Sequence, residues 1–297
     1  MKNVLLPQDI SMNVNDIKLL VLDIDGTISG KSNTVSAKVR KTIDAVQNKG
    51  IKVAIATGRM YSSALRFHQD IGSTMPLIAY QGAWIQDPHT QEIHRHLPVS
   101  REIAHQLLDY FEQQHLRFLR SASLSLLSIH FYINDQLFVR EMTEDTKSYG
   151  ERCQVTPIPI GDLRQILNDE NTHEPTKVLA LSNDAKLIQQ LLGQLRLKYK
   201  PSELYMTTSV PTFLEATNPL ANKGTAVRYL AEEMLGLQSH NVMAIGDNFN
   251  DVEMLKYVGI GVAMGNAPEP VQALANWVAP DVELDGAAIA MEKFLLS

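Results

Sequence analysis

The stretch that decides the fold is residues 19–27, Leu-Leu-Val-Leu-Asp-Ile-Asp-Gly-Thr. Its four aliphatic residues predict a short strand buried on both faces, and the aspartates follow at once. Ligands of open α/β sheets bind at the carboxyl ends of strands, and strand alternation turns Asp23 and Asp25 the same way. Gly26 lets the chain turn away sharply. Carboxylates this close repel each other and need a cation or a shared proton, with an ordinary acidic turn as the alternative.

Short apolar runs separated by helical patterns recur in the first and last parts of the chain. The predicted strands are Ile17–Leu22, Ile51–Ala56, Pro76–Tyr80, Val242–Ile245 and Ile260–Met264. The predicted helices are Ser36–Gly50, Ala226–Leu235, Asp251–Tyr257, Pro268–Ala275 and Gly286–Leu295. Strands that are apolar throughout and alternate with helices indicate a parallel sheet covered on both faces.

The middle of the chain contains strand candidates with more polar alternation. They are Leu116–Arg120, Ser128–Asn134, Thr176–Leu181, Leu204–Thr208 and Thr212–Thr217. The helices predicted between them are Arg101–His115, Gly161–Asn168 and Asp184–Leu197. Alternation is typical of a sheet with one face in water, which favours an α+β arrangement. We therefore predict an α/β fold with a Rossmann-like parallel-sheet core from residues 1–84 and 207–297. An α+β domain is inserted at residues 85–206, and residues 1–16 form a tail.

The composition is that of a soluble globular protein with a sizeable core. The 297 residues are 44% hydrophobic and 20% charged, with a formal net charge of −6. This balance disfavours nucleic acid as a partner, because binding the phosphate backbone usually requires a basic face. Cys153 is the single cysteine, so an intrachain disulfide is impossible and a reducing, cytoplasmic environment is expected. No apolar run approaches the length of a membrane span, and we expect no membrane partner.

Two further motifs come directly after predicted strands. Thr57-Gly58-Arg59 follows Ile51–Ala56, and its hydroxyl, flexible backbone and guanidinium suit an anion; a helix start is the alternative. Gly246–Asp251, which reads Gly-Asp-Asn-Phe-Asn-Asp, follows Val242–Ile245. Its carboxylates and amides are the hard oxygen ligands that magnesium prefers, while capping residues at a helix N-terminus are the alternative.

Lys223-Gly224 stands at the start of a predicted helix, with Asn222 as its N-cap. A lysine there opposes the helix dipole, which hints at a phosphate or a carboxylate cluster outside the helix. Most surface lysines have no such role. However, three strand ends and this lysine deliver complementary groups to one edge of one sheet. A single site explains them better than four unrelated turns and caps.

These residues resemble, in order and spacing, the four motifs of the haloacid dehalogenase superfamily. The insertion between the second and third motifs resembles the α+β cap of its Cof-like, sugar-phosphatase branch. Met254-Leu255 and Val262–Ala267 are further signatures of that branch. Gln81-Gly82-Ala83 departs from it, because many Cof-like proteins have Asn-Gly-Ala here. Gln keeps the amide but adds a methylene, so a contact from this position can differ.

The resemblance implies a magnesium-dependent phosphatase acting on small phosphorylated metabolites. Asp23 would attack phosphorus to form an aspartyl-phosphate, and Asp25 would act as acid and base. Residues that would contact the phosphoryl group or neutralise its charge are Thr57, Gly58, Arg59, Lys223 and Asn250, with orientation of a metal-bound water as the alternative role of Asn250. Magnesium would be held by Asp23, the Asp25 carbonyl and Asp247, with Asp251 in support.

Two other functions remain open at this point. A phosphomutase of the phosphomannomutase type shares the Asp-x-Asp-Gly-Thr element and would return phosphate to another hydroxyl of its substrate. A non-catalytic metal-binding homologue is the other, although Asp25 argues against it because only turnover needs an acid there. The resemblance does not identify the substrate or the cap residues that select it, and it allows a monomer or a homodimer.

Overall fold

The structure, a computed structural model, describes residues 16–120, 127–169 and 171–297. The predicted tail, residues 1–16, lies outside the described residues apart from Asp16. In the described part of the chain, no helix is both long and apolar enough to cross a membrane.

Strands occur throughout the described part of the chain. They are β1 (Leu19–Leu22), β2 (Lys52–Ile55), β3 (Leu77–Ala79), β4 (Trp84–Gln86), β5 (Ile93–His96), β6 (Ser128–Ile133), β7 (Gln136–Val139), β8 (Ile158–Pro159), β9 (Lys177–Leu181), β10 (Tyr205–Thr207), β11 (Phe213–Thr217), β12 (Val242–Gly246), β13 (Ile260–Ala263) and β14 (Trp277–Val278).

The α-helices lie between and after these strands. They are α1 (Ala37–Asn48), α2 (Tyr61–Asp70), α3 (Arg101–Arg120), α4 (Glu144–Cys153), α5 (Arg164–Asn168), α6 (Ala185–Lys198), α7 (Lys223–Arg228), α8 (Val252–Tyr257), α9 (Glu269–Gln272) and α10 (Gly286–Met291). Helix α7 continues as a π-helix over Tyr229–Met234, and α10 continues similarly over Glu292–Leu296.

The central sheet is parallel, with strand order β14-β13-β12-β1-β2. Strand β1 lies inside it, with Leu22 opposite Ile245 of β12 and Ile55 of β2. Its residues are fully buried and divide between the hydrophobic clusters on the two faces: Leu20 packs on one side and Val21 on the other. The continuous apolar run at residues 19–22 is therefore a strand covered on both faces, and the predicted parallel α/β core is confirmed.

The second sheet has strand order β10-β11-β9-β6-β7-β8 and is antiparallel except for the β7–β8 pair. On one face, Val178 and Ala180 of β9 pack in a cluster with Leu108 of α3 and Leu191 of α6. On the other face, Leu179 belongs to the cluster that includes the central sheet. This sheet is thus covered by helices on one side and faces the central-sheet domain on the other.

Strands β3, β4 and β5 form a third, small sheet. In the sequence they come after β2 of the central sheet and before β6 of the second sheet. Both predicted domain boundaries fall within strands, since residue 84 begins β4 and residues 206 and 207 belong to β10. The division into a core and an inserted domain remains our proposal.

One predicted strand is wrong. Residues Leu116–Arg120 form the end of helix α3, which runs from Arg101 to Arg120 without an interruption by glycine or proline. Ala104, Leu108 and Phe111 are buried at helical spacing, so the helix is already fixed by packing when the chain reaches residue 116. The five residues alternate only in part between apolar and polar, and so short a pattern does not outweigh a helix that is anchored in this way. Helix α4 was not predicted, because its sequence is mostly polar and offers little apolar periodicity.

Candidate active site

The predicted site residues meet at the carboxyl edge of the central sheet. Asp23 follows β1, Thr57 lies two residues after β2, and Asp247 follows β12. These strands are neighbours and parallel, so their carboxyl ends lie side by side. Asp23, Asp25, Thr57, Asp247 and Asn250 all line one cavity of about 300 Å³.

Lys223 joins the first and last motifs. Its Nζ donates to Asp23 Oδ1 and to Asp251 Oδ1, at 2.6 Å in each case, and its side chain is fully buried. Asn222 caps helix α7 by accepting from Thr225 N, which places Lys223 at the first helical residue. Burial lowers the pKa of Lys223, but the charges of Asp23 and Asp251 more than offset this and hold it above its usual value. The charge of Lys223 opposes the dipole of its own helix, and its bonds to two carboxylates explain why a lysine nevertheless stands at this position.

An acidic cluster surrounds this lysine. Asp23, Asp247 and Asp251 each place one carboxylate oxygen within 4.8 Å of the others. The pKa of Asp23 is raised to about 7, and burial is the largest cause. The charge of Lys223 lowers this pKa, whereas the charges of Asp251 and Asp25 raise it. Burial and the charges of Asp23 and Asp251 raise the pKa of Asp247 to about 9. One ammonium therefore leaves an excess of negative charge, and this all-oxygen set fits a divalent cation such as magnesium.

Asp251 has a supporting position within the cluster. While Oδ1 accepts from Lys223, Oδ2 accepts from the backbone N–H of Asp247 at 2.8 Å and of Asn248 at 3.1 Å. One oxygen of Asp251 therefore holds Lys223, and the other holds the backbone of the loop that carries Asp247. Asp247 Oδ2 accepts from Asn266 Nδ2 at 3.1 Å. Gly26 has φ +78°, and a Cβ there would lie 2.0 Å from Asp247 Oδ2, so glycine is required beside that carboxylate.

Asp25 is held by two arginines. Arg59 Nε donates to Asp25 Oδ2 at 2.8 Å, and its Nη2 donates to Oδ1 at 2.7 Å. Arg152 of α4 adds a bond to Oδ1 at 3.2 Å. Burial alone would raise the pKa of Asp25, but the bonds and charges of Arg59 and then Arg152 hold it below its usual value. The structure therefore places Arg59 in an ion pair with Asp25.

The loop after β2 is tightly packed. Thr57 is buried, and its Oγ1 accepts from Arg59 N at 3.2 Å. Gly58 has no room for a side chain, since a Cβ would lie 2.3 Å from Gln81 Nε2. Its carbonyl accepts from Lys177 Nζ of β9 at 2.8 Å, which connects the loop to the second sheet. Glycine at this position allows the backbone itself to reach the site.

Three charged residues that line the cavity were missed at the sequence level: Arg152, Lys177 and Glu215. Lys177 and Glu215 form a buried ion pair at 2.8 Å and line the cavity. Each stands in an otherwise largely apolar strand, Lys-Val-Leu-Ala-Leu and Phe-Leu-Glu-Ala-Thr. A charge within such a strand was the available signal. Arg152 lies in the unpredicted helix α4, and its polar surroundings gave no comparable signal.

Comparisons with known proteins agree with this arrangement. The family model for haloacid dehalogenase-like hydrolases matches residues 20–291. The Bacillus subtilis protein YxeH is 31% identical over 286 residues, which cover 94% of this chain and 99% of the relative. The phosphoglycolate phosphatase of Methanoculleus marisnigri is 28% identical and covers 94% of this chain and 97% of its own.

A solved structure shows the same architecture. It is that of a protein from Bacteroides thetaiotaomicron that is placed among the phosphatases of the haloalkanoate enzyme superfamily. It has 25% sequence identity and a TM-score of 0.75, and the match covers 99% of both chains. The similarity therefore extends over both sheets, and it includes the sheet edge at which the acidic cluster lies.

Proposed function

This chain belongs to the haloacid dehalogenase-like hydrolases and is a phosphatase, and we propose that it hydrolyses small phosphomonoesters with Asp23 as nucleophile. The observation that carries the proposal is the placement of Asp23. One of its oxygens, Oδ1, accepts from Lys223 Nζ, while Oδ2 accepts, among the described residues, only a long hydrogen bond of 3.4 Å from Thr27 Oγ1. The carboxylate is therefore oriented by one oxygen and has the other available for attack on phosphorus.

Magnesium is the cofactor we propose, held by Asp23, Asp247 and the Asp25 carbonyl, with Asp251 supporting the loop. When bound, it would offset the repulsion between the carboxylate nucleophile and the phosphoryl group. Lys223 supplies the protein's own share of this neutralisation, because its ammonium lies 2.6 Å from the nucleophile. Phosphoryl transfer depends mainly on positioning and electrostatics of this kind.

The chain's own residues divide the reaction into two displacements. Asp23 Oδ2 attacks phosphorus, the bond to the leaving oxygen breaks, and an aspartyl-phosphate forms. Asp25 gives its proton to the leaving alkoxide and then, as a carboxylate, takes a proton from the water that attacks the aspartyl-phosphate. Thr57 donates its hydroxyl to a phosphoryl oxygen. The products are an alcohol, inorganic phosphate and unmodified Asp23.

The protonation state of Asp25 depends on whether Arg152 is bound to it or has been displaced by the substrate. With both arginines bound, the pKa of Asp25 is lowered, which favours the carboxylate that activates water. To protonate a leaving group, Asp25 has to lose one of these contacts. The side chain of Arg152 is 56% exposed whereas that of Arg59 is 5% exposed, so Arg152 is the one that an entering substrate displaces.

The cavity supports a small substrate with both apolar and polar faces. A volume of about 300 Å³ is at the small end of ligand sites and suits a metabolite rather than a macromolecule. Its walls include the aromatic rings of Tyr149 and Phe213, whose centroids are 5.6 Å apart, together with the Lys177–Glu215 pair. Apolar ring faces beside polar groups suit a sugar, and sugar phosphates are the first class to test. A cytoplasmic location and a monomer or homodimer remain predictions.

The test is phosphate release from a panel of phosphorylated metabolites in the presence of magnesium. We expect the wild type and the exposed control variant Asp44→Asn to release phosphate as fast as substrate disappears. Asp23→Asn should release none while keeping its fold by circular dichroism. Isomerised substrate without phosphate release would instead indicate a phosphomutase, and no release from any compound would refute the proposal.

A further inference from the structure

A chain of hydrogen bonds crosses from the second sheet to the metal-binding loop. Lys177 Nζ donates to Glu215 Oε2 at 2.8 Å, and Glu215 Oε1 accepts from Gln81 Nε2 at 3.1 Å. Gln81 Oε1 then accepts from Asn250 Nδ2 at 3.0 Å. All of these side chains are at least nine-tenths buried. The chain joins β9 and β11 to two loops at the carboxyl edge of the central sheet.

The direction of these bonds is fixed from the Glu215 end. A carboxylate in an ion pair only accepts hydrogen bonds, and Glu215 forms such a pair with the buried ammonium of Lys177. Gln81 therefore has to present its amide N–H to Glu215, which turns its carbonyl oxygen toward Asn250. Asn250 in turn has to present Nδ2 to that oxygen. The charge on Glu215 thus decides which way two neutral amides point.

The result is an oriented acceptor in the active site. Asn250 lines the cavity, and its Oδ1 is buried without a hydrogen-bond partner among the described residues. A buried carbonyl without a partner is unfavourable and calls for a donor that arrives with the ligand. A dianionic phosphoryl group has no proton to donate. The donor is an O–H group, either of a water or of the substrate.

The backbone conformation at Gln81 is fixed by contacts with the neighbouring loop. Tyr80 and Gln81 have φ of +52° and +60°, a left-handed conformation that non-glycine residues adopt only when their surroundings impose it. Gln81 N donates to Thr57 O at 3.0 Å, and Tyr80 N donates to Arg59 O at 2.9 Å. The loop that carries Gln81 is therefore fastened to the loop that carries Thr57.

We propose that Glu215 is a positioning residue for the phosphatase reaction, which acts through Gln81 to orient the Asn250 amide. The inference rests on the proposed function of the site. Because Glu215 belongs to the second sheet, the Asn250 carbonyl is correctly aimed only while that sheet lies over the central sheet.

The direct test uses the side-chain amide signals of Asn250 in ¹⁵N–¹H spectra, assigned by their loss in Asn250→Ala. Glu215→Gln introduces an amide that can donate or accept, so Gln81 can reverse and the Asn250 signals should move. Ser209→Ala is the matched control, because Ser209 also donates to Glu215 Oε1 but is not in the chain. Unmoved Asn250 signals in Glu215→Gln would overturn the proposal, and this readout does not depend on turnover.

Kinetics supply the second readout. Glu215→Gln and Gln81→Leu should each lower kcat about tenfold, the value of one hydrogen bond, with little change in KM. In an Asn250→Ala background, Glu215→Gln should lower kcat less than about twofold further, because the group on which it acts is gone. If the losses in kcat from Glu215→Gln and Asn250→Ala multiply in the double variant, Glu215 does not act through Asn250 and the proposal is wrong. Gln81→Leu keeps the test valid if Glu215→Gln does not fold.

Comparing two substrates shows whether the hydrogen-bond donor to Asn250 Oδ1 is a water or a hydroxyl group of the substrate. Phenyl phosphate has no further hydroxyl, whereas glycerol phosphate has two. An equal loss on both substrates in Gln81→Leu supports a water as the donor, and a loss confined to glycerol phosphate supports a substrate hydroxyl. No loss on either substrate overturns the proposal, although phosphate release by the wild type would still stand.

Discussion

Replacing Lys223 with methionine is the perturbation that tests the construction of the site most severely. Methionine has nearly the same length and volume but no charge, so packing is kept and the bonds to Asp23 and Asp251 are lost. Both bonds are 2.6 Å long and the side chain is fully buried. Removing one partner from a buried ion pair destabilises a protein by about 3–5 kcal/mol, because the remaining charges have no counterion.

The lower end of this range applies at neutral pH. Without the ammonium, the pKa of Asp23, already about 7, rises further, so the carboxyl takes up a proton and relieves the repulsion. We therefore expect a loss of about 3 kcal/mol in the free energy of unfolding. A carboxyl with a higher pKa in the folded than in the unfolded protein binds more protons when folded. Stability of the variant should thus fall as the pH rises from about 4 toward the raised pKa.

The assay is unfolding by urea, followed by circular dichroism in the presence of a chelator. Lys41→Met, an exposed lysine on α1, is the matched control and should change stability by less than about 0.5 kcal/mol. The double variant Lys223→Met/Asp251→Asn removes one charge of each sign and should recover part of the stability but none of the activity. A Lys223→Met variant that is as stable as the wild type would refute the proposed electrostatic balance.

Three further perturbations test separate parts of the structure. Gly286→Ala should lower stability by at least about 2 kcal/mol, since its Cβ would lie 1.9 Å from the Pro280 carbonyl; an unchanged melting temperature would contradict this. Arg152→Ala should raise the pKa of Asp25 and move the corresponding limb of the kcat/KM–pH profile to higher pH, whereas Arg40→Ala should leave that limb unchanged. Removing magnesium with a chelator should stop phosphate release and adding it back should restore release; activity that survives metal removal would argue against the acidic cluster as a metal site.

The sheet edge was predictable from the sequence because each signal there is local. A continuous apolar run at residues 19–22 can be buried on both faces only within a covered sheet, so the position of Asp23 at its end follows. Lys223 was indicated by its conflict with the dipole of its own helix. The end of helix α3 was mistaken for a strand, because a partly alternating stretch of five residues carries no information on the packing of the preceding turns.

The remaining contacts could not be predicted, because they depend on pairing between distant segments. Lys177 and Glu215 are 38 residues apart, and nothing in either strand alone shows that their charges meet inside the protein. The departure at Gln81 was visible in the sequence, but its meaning requires Glu215 on one side and Asn250 on the other. Likewise, the state of Asp25 depends on an arginine from helix α4.

We propose that Asp23 carries the phosphoryl group between the two displacements. The most direct measurement is to mix the enzyme with a good substrate, quench it during turnover and reduce it with borohydride, which converts an aspartyl-phosphate into homoserine. Mass spectrometry of the peptide that contains residue 23 should then find homoserine at that position in the wild type but none in Asp23→Asn. Homoserine at another aspartate, or rapid phosphate release by Asp23→Asn, would contradict the account.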